Sequence, residues 1–377
     1  MAATAWIDAL GAPQEFQKRA SFPFVTTMLP NEKFNLPPGV WTDDTSMMLC
    51  LAHSISTFQE TPTSPATGGF DEVHQLEQYQ RWYKHGFLSA TDKCFDIDTT
   101  IKCALELFER HSPEEALVRI RNDLGGEHCS GNGSLMRVLP IGLAYWRDES
   151  QVRPYAKRSS QATHPSVMCM EACEMWTCAI ARIMEATTDP TAVNSETCFS
   201  KFSLLEFISS FPFTNTRLRQ ALTLPFGAPP QPESRIDLEQ YYFKYHPLLR
   251  LIPETQGPVG LPKDSKFPYF IPTETQVPST GFVLHSLVAA LYCFFATRTF
   301  DEGALMAINL GDDADTVGAI YAGLAACWYA SKEGKGNRVF WTKRVKEWRQ
   351  MSVKMDVVEG IAEKLVLFEQ RMTAEYS

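Results

Sequence analysis

Two runs of oxygen-bearing side chains suggest the chemistry of this chain. Thr42-Asp43-Asp44-Thr45 follows Trp41, and Gly311-Asp312-Asp313-Ala314-Asp315-Thr316 follows Asn309-Leu310 far downstream. Each sets carboxylates and a threonine hydroxyl ahead of an apolar helical period. Such hard oxygen ligands suit small divalent cations, magnesium best of all. A metal pair can hold a substrate and activate a water. The plain alternative for either run alone is ordinary helix N-terminal capping. Two runs weigh against it, because four buried carboxylates without cations repel one another and take up protons. On a regular helix Asp43 and Asp44 would point about 100° apart. Asp313 and Asp315, two apart, would not share a face either, so the spacing suits ligand loops at helix mouths.

The elements that must position these runs read as helices. After Asp44, Met47, Met48, Leu51, Ile55 and Phe58 recur at three- and four-residue steps. Val317, Ile320, Tyr321, Leu324 and Trp328 do the same after Asp315. Further helices are expected from Thr99 through Phe108, after Thr163 as a cap with Pro165 in the first turn, after Thr280 as a cap, and around Leu305–Ile308 with Gly311 as the stop. Small residues in the last apolar helix, Gly318, Ala319, Ala322 and Gly323 among them, let another helix approach closely. Alternating strand patterns are scarce. The expectation is one all-α domain spanning 1–377, interrupted at about 186–277 by a Pro/Phe-rich insertion whose prolines favour extended turns. Asp313-Ala314-Asp315-Thr316-Val317 also fits the D-x-D-x-T/V pattern of haloacid-dehalogenase-like phosphatases. That chemistry needs a buried strand ahead of the first aspartate, and 304–308 reads as helix.

With 377 residues, 44% apolar, the chain can bury a large core. A net charge of −9 argues against nucleic acid and anionic membrane as partners. No apolar run approaches the ~18 residues of a membrane span, and no secretory signal pattern opens the chain. The ten cysteines form no C-x-x-C pair and read as reduced, buried thiols of an intracellular, cytoplasmic protein.

The ordered landmarks resemble the ADP-ribosylglycohydrolase family, of the dinitrogenase-reductase-activating type. They are 8–16 (Asp-Ala-Leu-Gly-Ala-Pro-Gln-Glu-Phe), 41–47 (Trp-Thr-Asp-Asp-Thr-Ser-Met), 131–137 (Gly-Asn-Gly-Ser-Leu-Met-Arg), Thr163-His164-Pro165, and 309–316. The resemblance implies an orthogonal multi-helix bundle. It implies hydrolysis of the glycosidic bond at the anomeric carbon of ADP-ribose, with two magnesium ions (manganese as a substitute) as cofactor. Thr42, Asp43, Asp44, Asp313, Asp315 and Thr316 would hold the ions, with Asp315 bridging. Asp44 or Asp313 would activate the water, and Glu15 would serve as acid or base. Asn132, Gly133, Ser134, His164 and Phe282 would line the ADP-ribose site. Arg137 would meet either phosphate or an ion-pair partner in the helical core. The expected partner is an ADP-ribosylated protein or small-molecule conjugate, met by a monomer. A silent ADP-ribose-binding or structural member, or a hydrolase of another ribosyl conjugate, are the alternatives. The chain departs from the family pattern at Ile7, Asp98 and Asp312, where members carry glycine, and at Phe282, where many carry tyrosine.

Overall fold

The computed structural model describes residues 1–61, 67–188, 199–252, 271–333 and 338–376. The apolar periods become sixteen α-helices among these residues. In chain order they are α1 (Ala2–Gly11), α2 (Asp43–Thr57), α3 (Glu72–His85), α4 (Thr99–Arg110), α5 (Pro113–Asp123), α6 (Leu139–Ala144), α7 (Glu149–Gln161) and α8 (Val167–Thr188). There follow α9 (Lys201–Ser210), α10 (Thr216–Leu222), α11 (Arg235–Tyr245), α12 (Val283–Ala296), α13 (Phe300–Ile308), α14 (Ala314–Ala330), α15 (Lys343–Met351) and α16 (Met355–Tyr376). Extended pairing among the described residues is limited to two isolated bridges, Asn31 with Leu36 and Gly131 with Phe282. The all-α expectation holds. No described helix is long and apolar enough to cross a membrane.

The centre of the bundle is α14, buried along almost its whole length, with α1, α12 and α13 packed around it. A helix apolar all round must lie inside. Its small residues do what their size predicts. A Cβ on Gly318 would stand 2.8 Å from Ile7 Cγ2 on α1, and one on Gly323 would stand 2.8 Å from the Trp176 ring on α8. On the facing helix, a Cβ on Gly11 would fall 2.6 Å from Asp315 Cα. Glycine at 11 therefore lets α1 lie backbone to backbone against the mouth of α14. Ile7 is wholly buried and packs into the space left by Gly318.

Two expected caps move. The helix after Thr163 begins at Val167 and is capped by Ser166, whose Oγ accepts from Cys169 N at 3.4 Å. Thr163 instead spends its hydroxyl on Arg137 and His164. The helix after Thr280 begins at Val283 behind Phe282, and Thr280 Oγ1 meets His285 Nδ1 at 2.8 Å. The Pro/Phe-rich segment also differs from expectation. Its described part forms α9, α10 and α11, which bury Leu204, Leu205, Ile208, Leu218, Leu222, Tyr241 and Tyr242. The prolines at 212, 225, 229, 230 and 232 fall between these helices, so helix breaking acts as punctuation. Lys201 at the start of α9 donates from Nζ to Phe294 O, to Thr297 O at 2.7 Å and to Tyr329 Oη at 2.6 Å. That ammonium caps the negative end of α12. Residues 189–198 and 253–270 of the expected insertion lie outside the described residues.

Candidate active site

Nine described helices are capped at the N-terminus by an Asp, Asn, Ser or Thr side chain, among them Asp71, Asp98, Ser112, Asp148 and Ser166. The helices α2 and α14 are exceptions. Thr42 and Asp313 occupy their cap positions and make no side-chain capping bond. Capping thus does not account for the two acidic runs, whose oxygens turn elsewhere.

They turn toward each other. Thr316 Oγ1 on α14 donates to Asp44 Oδ2 on α2 at 3.1 Å. Glu15, Asp43, Asp44, Asp96, Asp98, Asp312, Asp313 and Asp315 all line one cleft of about 500 Å³. No lysine, arginine or histidine is among the described residues that line it. Burial first, then the neighbouring carboxylates, push Asp43, Asp44 and Asp315 well above the usual carboxylate range. Asp313 is raised too, by burial, against hydrogen bonds that pull it down. Burial, then the charge of Asp315 and the contact with Asp96, push Glu15 up to about 11, and only Lys33 opposes them.

Two features outside the acidic runs hold this arrangement. Asp8, on α1 and fully buried, accepts from Thr42 N (2.9 Å), Thr42 Oγ1 (2.9 Å), Thr45 N (3.1 Å) and Thr45 Oγ1 (2.5 Å). Its carboxylate ties the mouth of α2 to α1, and α1 in turn lies against α14. Burial raises its pKa to about 6, with the Thr45 and Thr42 bonds pulling the other way. Arg19 secures the other side, donating to Leu310 O, Pro272 O, Val277 O and Ser279 Oγ at 2.6–2.9 Å. Backbone bonds from Phe16 N to Asp312 O (2.6 Å) and from Asp312 N to Gln17 O (2.8 Å) pin the Glu15 loop to the α14 mouth.

Of the residues expected at the substrate site, Asn132 lines the cleft, and its Nδ2 donates to Asp313 Oδ2 (2.5 Å) and Ser286 Oγ (2.8 Å). Ser134 does not reach the cleft. Its Oγ accepts from Ser160 Oγ and faces Cys173 in the core. Gly133 faces Asp98, whose Oδ2 would lie 2.5 Å from an added Cβ. His164 is fully buried behind the loop at 131–133. Its Nδ1 meets Thr163 Oγ1 at 2.8 Å, and its Nε2 lies 3.3 Å from Asp98 Oδ2, at ion-pair range without hydrogen-bond geometry. Burial raises Asp98, but the contact with His164 and the amides of Ile101 and Thr100 outweigh it, so the carboxyl stays below its ordinary range. Phe282 is half-buried at the start of α12, edge-on to His285 and under Arg217, and is not a lining residue. Arg137 does not line the cleft and has no carboxylate partner among the described residues. It is wholly buried, donates to Gly133 O and Thr163 Oγ1, and stacks over Tyr79. Thr42 lies beneath the cleft, with its hydroxyl proton given to Asp8 or Asp44.

Asp8, Arg19 and Asp96 were absent from the expected site. Asp96 has positive φ (61°), lines the cleft and groups with Glu15 and Asp315, one oxygen from each lying within 4.8 Å of the others. In the sequence it stands two residues before Asp98, one of the departures from the family pattern. A family model described as ADP-ribosylglycohydrolase matches residues 1–371. The chain belongs to that family. It is 26% identical over 368 residues to an ADP-ribosylarginine hydrolase, Tri1, of Serratia proteamaculans, covering 95% of this chain and 75% of that protein. It is 22% identical to the ADP-ribosyl-dinitrogen reductase glycohydrolase of Rhodospirillum rubrum, covering 85% and 81%. A solved structure of an ADP-ribosylglycohydrolase-related protein complex superposes with TM-score 0.59 at 27% identity, over 97% of this chain and 95% of that one. The ADP-ribosylglycohydrolases are glycosidic-bond hydrolases, and this chain is an enzyme of that class.

Proposed function

We propose that this ADP-ribosylglycohydrolase uses two divalent cations, magnesium by preference, to hydrolyse the bond between the distal ribose of ADP-ribose and a side chain or small molecule. The observation that carries the reading is the meeting of buried carboxylates from α2 and α14 in one cleft with no lining cation. The donor set fits the ions. Asp44 Oδ1 is buried without any hydrogen-bond partner, as is Asp96 Oδ2. An unpaired buried carboxylate oxygen is costly, and a hard cation is its natural partner. Asp43, Asp44, Asp313 and Asp315 would supply carboxylate ligands, and Thr42 and Thr316 would add lone pairs because their protons already point to Asp8 or Asp44.

Such ions, when bound, supply a grip on vicinal ribose hydroxyls and lower the pKa of a bound water. The chain's own groups do the rest. Asp313, oriented by Asn132, would take a proton from water attacking the anomeric carbon. The carbon–nitrogen or carbon–oxygen bond breaks as the new carbon–oxygen bond forms, and the departing atom gains a proton. Glu15, whose carboxyl burial and the charge of Asp315 push up to about 11, would be the donor for that step from the same cleft. The remaining carboxylates favour the oxocarbenium character of the transition state.

The test is release of ADP-ribose from ADP-ribosylated arginine and serine peptides with magnesium and with chelator. Activity that depends on magnesium and falls at least about 100-fold in Asp313→Ala is expected. Turnover that survives chelation, or is unchanged in Asp313→Ala and Asp315→Ala together, would refute the reading.

A further inference from the structure

Away from the acidic cleft, the Pro/Phe-rich segment holds a cavity of opposite character. It measures about 350 Å³ and lies where α9, α10 and α11 meet. Phe211, Phe213, Leu224 and Tyr242 wall it. The three aromatic residues are buried and held by their neighbours. Phe211 and Phe213 pack with ring centroids 4.8 Å apart. Tyr242 is fixed by Phe202, edge-on at 5.1 Å, and by His246, stacked at 5.7 Å. Glu171 on α8 anchors the turn that follows Phe213, accepting from Thr214 N at 3.0 Å and Asn215 N at 2.9 Å. The rings therefore stand in place before any ligand arrives. A preformed apolar cavity with few polar groups is the common build of a small-molecule site, ~300–1,000 Å³ in volume.

One polar group decides the class of ligand. Arg219, on α10, lines the cavity and is exposed. Other arginines of the segment are answered, Arg217 by Glu127 and Arg235 by Glu206. Arg219 has no carboxylate partner among the described residues. The chain carries 44 acidic residues, yet none is among the described residues lining this cavity. A cavity of about 310 Å³ beside α7 and α8 is the contrast, because its Arg147 and Arg182 are already paired with Glu369 and Glu149. A guanidinium beside aromatic walls takes a carboxylate by charge-assisted hydrogen bonds and a ring by burial. The chain's own candidate to fill the space stays outside. Leu224 and Gln231 both line the cavity, and Phe226 between them is fully exposed.

We propose that this cavity binds a small aromatic carboxylate, with its ring against Phe211, Phe213 and Tyr242 and its carboxylate on Arg219. The volume suits one ring with a short acidic arm and is too small for a folded partner. The site is separate from the hydrolase cleft and does not depend on how that cleft works.

The experiment is a set of saturation-transfer NMR titrations of the 377-residue chain with 3-phenylpropionate, 3-phenylpropionamide and propionate. 3-Phenylpropionate should bind with a Kd of about 1 mM. The amide, alike in shape but uncharged, should bind about fivefold more weakly, and propionate, without the ring, at least about tenfold more weakly. Arg219→Gln should bring the acid and the amide within about twofold of each other. Leu224→Ala should weaken both about threefold and keep their ratio. Equal binding of acid and amide by the wild type would overturn the proposal, as would a preference that persists in Arg219→Gln. Binding untouched by Leu224→Ala, or no saturation by about 20 mM, would do the same. A dimer in sedimentation velocity that Phe226→Ala dissociates would also overturn it, by giving the cavity to the Phe226 ring of a second copy.

Discussion

Asp44→Asn should make the metal-free protein more stable and the magnesium-loaded protein less responsive. Asp44 is 1% exposed, and its charge is opposed by Asp8, Asp43 and Asp313. Two like charges about 5 Å apart at an effective dielectric of 20 repel by about 3 kcal/mol, part of which proton uptake already relieves. Both hydrogen bonds to this side chain, from Thr316 and Thr42, end on Oδ2, and the asparagine carbonyl can accept them. The amide then replaces Oδ1, which has no partner to lose. The net gain in chelator is about 2 kcal/mol, or roughly 2–3 °C in Tm for a chain of this length. Magnesium at 100 times its Kd adds about 2.7 kcal/mol to the wild type, some 3 °C. The variant, short of one ligand, should gain under about 1 °C. The lead of the variant in chelator should therefore close in magnesium, as differential scanning calorimetry would show. A wild type at least as stable as Asp44→Asn in chelator, or equal magnesium shifts in both, would refute the reasoning about this cluster.

Asp8→Asn keeps one acceptor face but confronts Thr45 N and Oγ1 with an amide. Because Asp8 positions α2 without lining the cleft, magnesium affinity by calorimetry should fall about tenfold to 100-fold, while the far-ultraviolet circular dichroism of the folded state is kept. Lys201→Met removes the three donors that cap α12 and leaves Thr297 O and Tyr329 Oη in a buried setting. It should cost about 2–4 kcal/mol in urea unfolding, with turnover per folded molecule unchanged. His246 is wholly buried and neutral, with Nδ1 accepting from Leu248 N and Nε2 facing Leu222 O. Burial lowers its pKa to about 4, so between pH 6.5 and 4 the unfolded chain takes up a proton that the folded chain refuses. Its contribution is complete above pH 6.5 and is lost as the pH falls through that window, by up to about 3 kcal/mol. Urea midpoints of His246→Gln should show a correspondingly smaller acid loss than those of the wild type.

What the chain declares locally and what only its contacts disclose divide along physical lines. The helices carrying Met47, Leu51 and Ile55, or Val317, Ile320 and Leu324, were legible because a 3.6-residue period is a local property. The acidic runs were legible because clustered carboxylates before an apolar helix have few uses. Side-chain direction in an irregular loop has no such period. Gly131-Asn132-Gly133-Ser134 therefore reads as one cradle, yet Asn132 faces the cleft and Ser134 faces Cys173. The segment around 201–245 reads as extended because proline counts say nothing of where the prolines fall. Asp8 was least legible as a site residue. A lone aspartate in an apolar helix has no ligand partner nearby in sequence, and its four bonds reach Thr42 and Thr45, 34 and 37 residues away. Yet it explains why the two runs meet. Gly11 brings the backbone of α1 onto the mouth of α14, and Asp8, one turn earlier on the same helix, binds the mouth of α2. The carboxylates of α2 and α14 are thus held together by α1 against their own repulsion. A buried charge and a glycine that keep like charges adjacent are what the proposed cation pair calls for.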